Sequence, residues 1–383
     1  MLPVFACSSM SSYEPQPGEV GNAKKAVDDL LGWTRAQEWS DMEALLFDGA
    51  HSAPDHWSAK LGCKDLEAQL RERLMRDLTH YTGRLVRYEV WRGALGWREL
   101  IDRCGEGFYF DAFRWAHAAD PAAMLLTSEV DVLNTQTLTR AEAYHNLVYR
   151  MISQGVPVGG VGLQARFEGE VDASTVKHRL DVMSELKLPI YITDLAIAGL
   201  DASKHAYELE KFLRIAFSHP AVAGISLGEL WDEGNPLPGS GLYSTTKEPK
   251  PAVQALERLW REEWHTTAEK PMGSEGSIEF DAFSGTYAYE LRSRDRVCMG
   301  TVELDRPSDE DLQRIQREAG SSRVEPKVFM IQCDWAGHVH VPVWATPATL
   351  ALIFVLCLWA CWRQKAKLSH RRKGHQRLPT IRT

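Results

Sequence analysis

From Val4 to about Trp264 the chain alternates short apolar runs with amphipathic stretches, and that alternation restricts it to one class of fold. Val4–Ala6, Ala44–Phe47, Arg87–Trp91, Ala123–Leu126, Gly160–Gln164, Leu188–Leu195 and Gly224–Leu230 read as strands. Lys24–Glu38, Leu66–Tyr81, Phe108–Ala118, Arg140–Gln154, Ala173–Leu186, Ser203–Ser218 and Ala252–Trp264 read as helices. Strands and helices in strict alternation form parallel β/α units. The run Leu188-Pro-Ile-Tyr-Ile-Thr-Asp-Leu195 is largely apolar and β-branched, so both of its faces are expected to be covered, as in a parallel sheet. It ends in a carboxylate, and the C-terminal ends of barrel strands are where barrel enzymes hold their chemistry. These runs make seven strands, one short of an eightfold barrel.

The pattern changes after residue 266. Met272 to about Trp335 has no helical series, and Gly276–Phe280, Gly285–Leu291 and Val328–Gln332 read as short strands of a β-rich appendage over 267–340. Val343–Trp362 (VWATPATLALIFVLCLWACW) carries no charge and has the ~20 residues that span a bilayer. Trp344 and Trp362 stand at its ends, where interfacial aromatics belong. Arg363, Lys365, Lys367 and Arg371-Arg-Lys373 follow at once, so the tail 363–383 is expected in the cytosol and the body outside or in a lumen. Such an orientation calls for a signal peptide, and Met1–Cys7 has neither a basic n-region nor an apolar stretch of adequate length.

Composition excludes little beyond nucleic-acid binding, for which a net charge of −8 gives no support. The Trp and Tyr residues suit carbohydrate stacking or an aromatic core. Cys7, Cys63, Cys104, Cys298 and Cys333 precede the apolar span in odd number and without metal-ligand spacing, so no metal or other cofactor is expected and no pairing follows. There is no N-x-S/T sequon, and oligomeric state is not legible.

Six segments, in order, share their residues with one family. Tyr13-Glu-Pro-Gln-Pro-Gly18 resembles S-T-E-P-x-x-G, and Ala26–Trp33 resembles D-A-L-x-D-W. His51-Ser-Ala-Pro-Asp-His-Trp57 is similar to H-S-x-x-P-x-W. Gly155-Val-Pro-Val-Gly-Gly-Val-Gly-Leu-Gln164 follows G-V-P-x-D-G-x-G-L-Q almost letter for letter and is the most specific match. Lys247-Glu-Pro-Lys-Pro-Ala252 resembles K-P-A-Y, and Ser277–Tyr287 resembles the F-R-G-F-x-G-x-Y of a C-terminal β appendage. These are the patterns of glycoside hydrolase family 10, the endo-β-1,4-xylanases. The resemblance implies a (β/α)8 TIM barrel over 1–266 and a β-1,4-linked glycan as ligand. It starts at the family's second strand, which implies a barrel lacking its first β/α unit and a chain truncated at its N-terminus. A barrel without one strand has open edges.

The family's chemistry needs two carboxylates about 5–5.5 Å apart, a nucleophile and an acid/base. By resemblance the nucleophile of T-E-L falls on Asp194 in Thr193-Asp194-Leu195, one methylene short, which withdraws the carboxylate by ~1.5 Å. A displacement of ~1 Å can cost ~10²-fold in rate. The acid/base of W-D-V-x-N-E falls on Gly93, which has no proton to give, and the preceding Asn is Arg92. General acid/base assistance is worth ~10²–10⁴-fold. The family's His after G-L-Q aligns with Arg166, a cation expected to hold Asp194 as an ion pair. Gly228 stands where W-G-x-x-D has its sugar-binding Trp, and N-E-x-K-W is reduced to Ser8–Ser12. Gln164, Arg166, Arg92, His51, Trp57 and Trp231 are the candidate glycan contacts. Among substitute carboxylates, Glu89, Glu99, Glu129 and Glu229 lie near strand ends; Glu229 is the best placed, either facing the barrel wall or pairing with Arg92 or Arg166.

Three functions stay open: a membrane-anchored, catalytically impaired domain that binds glycan or serves structurally; an active or weakly active β-glycan hydrolase using Asp194; and a membrane interaction protein whose basic tail meets anionic lipid.

Overall fold

The structure is a computed structural model that describes residues 4–5, 25, 28–29, 31–33, 43–48, 60–96, 98–134, 138–228, 230–233, 237–273, 277–278, 282–283, 285–293 and 296–304. It divides into two units, with the boundary between Glu257 and Arg258, at the end of the last barrel helix.

The first unit is built on one parallel sheet. Its strands are β1 (Val4–Phe5), β2 (Glu43–Asp48), β3 (Arg87–Arg92), β4 (Met124–Glu129), β5 (Gly160–Glu168), β6 (Ile190–Ala198) and β7 (Val222–Leu227), paired in chain order. All seven expected strands are present, and among the described residues no pairing joins β7 to β1. The helices between them are α1 (Cys63–Tyr81), α2 (Glu99–Cys104), α3 (Glu106–Ala119), α4 (Thr139–Ser153), α5 (Ala173–Ser184), α6 (Ala202–Ser218) and α7 (Pro251–Arg258). Lys25, Asp28, Asp29 and Leu31–Trp33 are helical as well, within the stretch expected to be a helix. The short helix α2 is not foreseen from sequence: six residues give no readable period. A π-helical turn, Leu259–Glu263, closes the stretch read as one helix to Trp264.

Every residue of β6 is buried, as a strand covered on both faces requires. Helices α5 and α6 start where Asp172 and Asp201 accept hydrogen bonds from the next turn's backbone, Ser174 and Thr175 N–H for one, Ser203 and Lys204 N–H for the other. In the outer layer Trp91 meets Phe108 and Tyr109 of α3 edge-on, at centroid distances of 6.0 and 5.3 Å. These aromatics are core. The glycines of the G-x-G-L-Q segment let strands approach: a Cβ on Gly162 would lie 2.5 Å from Ser128 Cβ and 2.9 Å from Thr193 Cγ2.

Two irregularities in the ladder decide what faces the barrel interior. On β6, Leu163 pairs with Ile192 but Gln164 pairs with Asp194, so Thr193 is an extra residue. On β3, Glu89 pairs with Leu126 but Trp91 pairs with Thr127, so Val90 is extra. Side chains alternate along a strand, and each bulge moves the residues after it to the other face. Asp194 is thereby brought to the face of Gln164, and Arg92 to the face of Glu89.

The second unit contains a hairpin, β8 (Gly285–Ser293) against β9 (Arg296–Leu304). Its first strand is the one expected; β9 is not legible beforehand. Of the expected strand Gly276–Phe280, the described residues Ser277 and Ile278 lie in no strand. The expected strand Val328–Gln332, the apolar span 343–362 and the tail 363–383 lie outside the described residues. Among the described residues no helix is long and apolar enough to cross a membrane. Two cysteines left unpaired by the sequence form a disulfide, Cys63–Cys104, joining the start of α1 to the end of α2, and Cys298 is disulfide-bonded too.

Candidate active site

Of the residues singled out from sequence, Arg92, Gly93, Glu129, Gln164, Arg166, Asp194 and Gly228 lie in or just after the C-terminal halves of β3 to β7. Asp194 is 4% exposed. Its Oδ2 accepts a hydrogen bond from Arg166 Nε at 2.6 Å, as expected of an aspartate beside an arginine two strand positions beyond Gln164. Its Oδ1 is buried with no hydrogen-bond partner among the described residues and lies 1.9 Å from where a Cβ on Gly228 would stand. The carboxylate therefore lies over Gly228, filling the space of a missing side chain. Gly228 N–H donates to Leu195 O at 2.9 Å, which ties the end of β7 to β6 beside it. Gln164 is also 4% exposed, and its Nε2 is buried without a partner among the described residues.

Gly93 follows β3 directly, with its N–H on Ser128 O at 2.8 Å. Its φ is 76°, a left-handed conformation. The position aligned with the family's acid/base thus carries no side chain on a backbone that disfavours one. Arg92 grips Glu89, Nε to Oε1 at 3.0 Å and Nη2 to Oε2 at 2.8 Å. Glu89 is fully buried and also accepts from Ser128 Oγ.

Among the described substitute carboxylates, Glu129 is no freer to act. Glu129, at the end of β4, accepts from Leu95 N–H at 2.8 Å, Val130 N–H at 3.1 Å and Arg140 Nη2 at 2.8 Å. Burial pushes its carboxyl above the usual range, opposed by the Leu95 amide and by Arg140. Both oxygens are engaged in holding the segment after β3 and the N-terminal turn of α4. Trp231 lies on the loop after β7, 45% exposed, its ring 6.1 Å from that of Tyr243. Asp232 beside it is clamped by Lys250 Nζ at 2.8 Å and by Gly241 N–H at 3.0 Å. His51, Trp57 and Glu229, and the side chain of Glu99, lie outside the described residues. Among the described residues no group of three His, Cys, Asp or Glu is arranged to hold a metal ion.

Sequence reasoning missed the seat of Asp194 over Gly228, the bond from Ser128 to Glu89 and the Glu129–Arg140 clamp. The first had a signal: a shortened acid and a lost aromatic on adjacent strands.

A parallel β/α sheet with polar residues at the strand C-termini is the layout of a barrel-type enzyme fold. Residues 44–258 match the profile of Glycosyl hydrolase family 10, and the chain belongs to that family. It is 30% identical over 247 residues to endo-1,4-beta-xylanase 2 of Arabidopsis thaliana, covering 64% of this chain and 23% of the relative. It is 31% identical over 235 residues to anti-sigma-I factor RsgI6 of Acetivibrio thermocellus, covering 60% of this chain and 30% of the relative. The chain thus spans less than a third of either relative's length. The crystal structure of xylanase 10B from Thermotoga petrophila in complex with xylobiose superposes with a TM-score of 0.60 at 18% identity, covering 68% of this chain and 86% of that one. The fold is that of the family's (β/α)8 TIM barrel.

Proposed function

We propose that this chain is a catalytically impaired family 10 barrel that binds a β-1,4-linked glycan without hydrolysing it. The observation that carries the reading is the condition of Asp194. One oxygen is bound to Arg166 and the other is buried against Gly228, a pose that holds the carboxylate back from nucleophilic attack. The absence of a carboxylate at Gly93 supports it independently, since retaining hydrolysis needs both groups. One relative of this barrel is named for regulation, anti-sigma-I factor RsgI6, so the family domain is also carried by a protein named for something other than hydrolysis. Gln164, Arg92, Arg166 and Trp231 are the contacts proposed for the glycan, and the seven strands are proposed to correspond to the family's second to eighth.

The barrel is proposed to face a lumen or the cell exterior, anchored by 343–362 with the tail 363–383 in the cytosol. The disulfide Cys63–Cys104 supports this, because disulfides persist in oxidising compartments. Protease protection of the tail but not of the barrel in sealed membranes is the expected result.

The deciding experiment uses an aryl β-xylobioside with an activated leaving group, which departs without protonation and so tests the nucleophile alone. Full-length protein in detergent, shown to be folded by circular dichroism, is assayed beside Asp194→Ala. No aryl release from the folded protein is expected. Release that disappears in Asp194→Ala favours the second reading, a weakly active hydrolase, for which the carboxylate retained at this position speaks.

A further inference from the structure

The structure assigns Gly228 the role of a positioning residue for Asp194: the missing side chain at 228 is what lets the carboxylate lie against β7 and present its other oxygen to Arg166. This goes beyond the proposed function and holds whether or not the barrel turns over a glycan.

Three observations lead to it. First, Gly228 does not have a left-handed backbone, in contrast to Gly93 and seven other glycines of the described chain. A left-handed backbone therefore gives no reason for glycine there. Second, a Cβ at 228 would meet Asp194 Oδ1 at 1.9 Å, whereas the next nearest atoms, Asp194 Cγ and Leu195 O, lie at 3.1 and 3.5 Å. One atom of one residue accounts for the conflict. Third, that atom cannot easily retreat, because its partner oxygen is bonded to Arg166 at 2.6 Å and the residue is buried.

Lifting the carboxylate clear of a new methyl group means rotating it about Cα–Cβ or Cβ–Cγ. Either rotation breaks the Arg166 bond or leaves a charge unpaired in a buried place. Arg166, Asp194 and Gly228 therefore form one unit, in which a side chain at 228 and the observed pose of Asp194 exclude each other. A large aromatic at 228 excludes it more strongly still.

The test is a double-mutant cycle on the full chain, using Gly228→Ala, Asp194→Ala and the pair, read by thermal unfolding and by the ¹H–¹⁵N resonance of Arg166 Nε. In the wild-type background Gly228→Ala is expected to lower the midpoint by at least about 2 °C, the range for forcing a buried side chain, here Asp194, out of its place. Added to Asp194→Ala it is expected to change the midpoint by less than about 1 °C, because the conflicting oxygen is gone. The Arg166 Nε–H signal is expected to move in Gly228→Ala while amides of α1 and α3 stay in place. A merely structural glycine would not move it. Equal losses in the two backgrounds, or an unmoved Arg166 signal, would overturn the inference. If Gly228→Ala alone does not fold, folding of the double variant is the same positive result in stronger form, and failure of both variants overturns it.

Discussion

Arg92 and Glu89, three residues apart on β3, face the same way and bind through two nearly parallel hydrogen bonds of 3.0 and 2.8 Å. In a regular strand, residues three apart lie on opposite faces. The extra residue Val90 makes this pair possible, and burial makes it consequential. Arg92→Asn, which restores the family's residue, takes away both bonds and leaves Glu89 buried with Ser128 as its remaining side-chain donor among the described contacts. Breaking a buried pair by removing one partner costs about 3–5 kcal/mol. Urea unfolding is expected to show a loss of that size, with Glu89→Gln in the same background restoring part of it.

How much of this was legible beforehand follows from what kind of information each feature needs. The strand Leu188–Leu195 announced itself through composition alone, and the β/α order through alternation. The ion pair of Asp194 with Arg166 was readable through the family resemblance, which sets Arg166 where the family has the His after G-L-Q. The Glu89–Arg92 pair was not, because sequence spacing placed them on opposite faces and a bulge is a property of two strands together. Nor was the seat of Asp194 over Gly228: it depends on a distance between β6 and β7 that no single strand encodes. Among the cysteines, Cys63 and Cys104 are 41 positions apart in sequence, and only the tertiary fold, with α1 and α2 each packed on α3, brings their Cα atoms to 5.4 Å.

Restoring a carboxylate by Gly93→Glu does not restore hydrolysis. At φ 76° a non-glycine residue costs roughly 1–2 kcal/mol, and Asp194 stays bound to Arg166. The variant is expected to be less stable by about that amount, and its rate on an activated aryl β-xylobioside to change by less than about tenfold. A rise of ~10²-fold or more, the lower end of what an acid/base contributes, would show that Asp194 is able to attack.

The disulfide between Cys63 and Cys104 closes a long loop that contains all of α1, β3 and the segment after Gly93. Loop-closure entropy for a separation of 41 residues amounts to about 4 kcal/mol, an upper value where the unfolded chain keeps structure. Cys63→Ser with Cys104→Ser is expected to lower unfolding free energy by roughly 2–4 kcal/mol. Intact-mass measurement after alkylation, with and without reductant, is expected to show both thiols protected in the untreated protein.

His205 supplies the pH dependence. It lies in α6, 2% exposed, and its Nδ1 has no hydrogen-bond partner among the described residues. Burial lowers its pKa below the usual 6.5, the positive charge of Lys250 lowers it further, and Asp232 opposes both. The folded protein thus binds a proton here less readily than the unfolded chain. The stability that goes with a neutral His205 is fully present above about pH 6.5 and is lost as pH falls through the lowered value. Glu129 works the other way: its raised pKa gives a contribution that is complete below the ordinary carboxylate value of 4.5 and fades as pH rises. Asp172, held at about 2 by the Ser174 and Thr175 hydroxyls and amides, titrates well below this window. Total stability therefore mixes two opposed slopes, and the histidine's share is read as a difference. Urea unfolding of wild type and His205→Gln at about pH 5, 6 and 7 is expected to show the wild type losing more stability than the variant as pH drops from 7 to 5. Parallel curves would mean that His205 takes up its proton as readily in the fold as outside it.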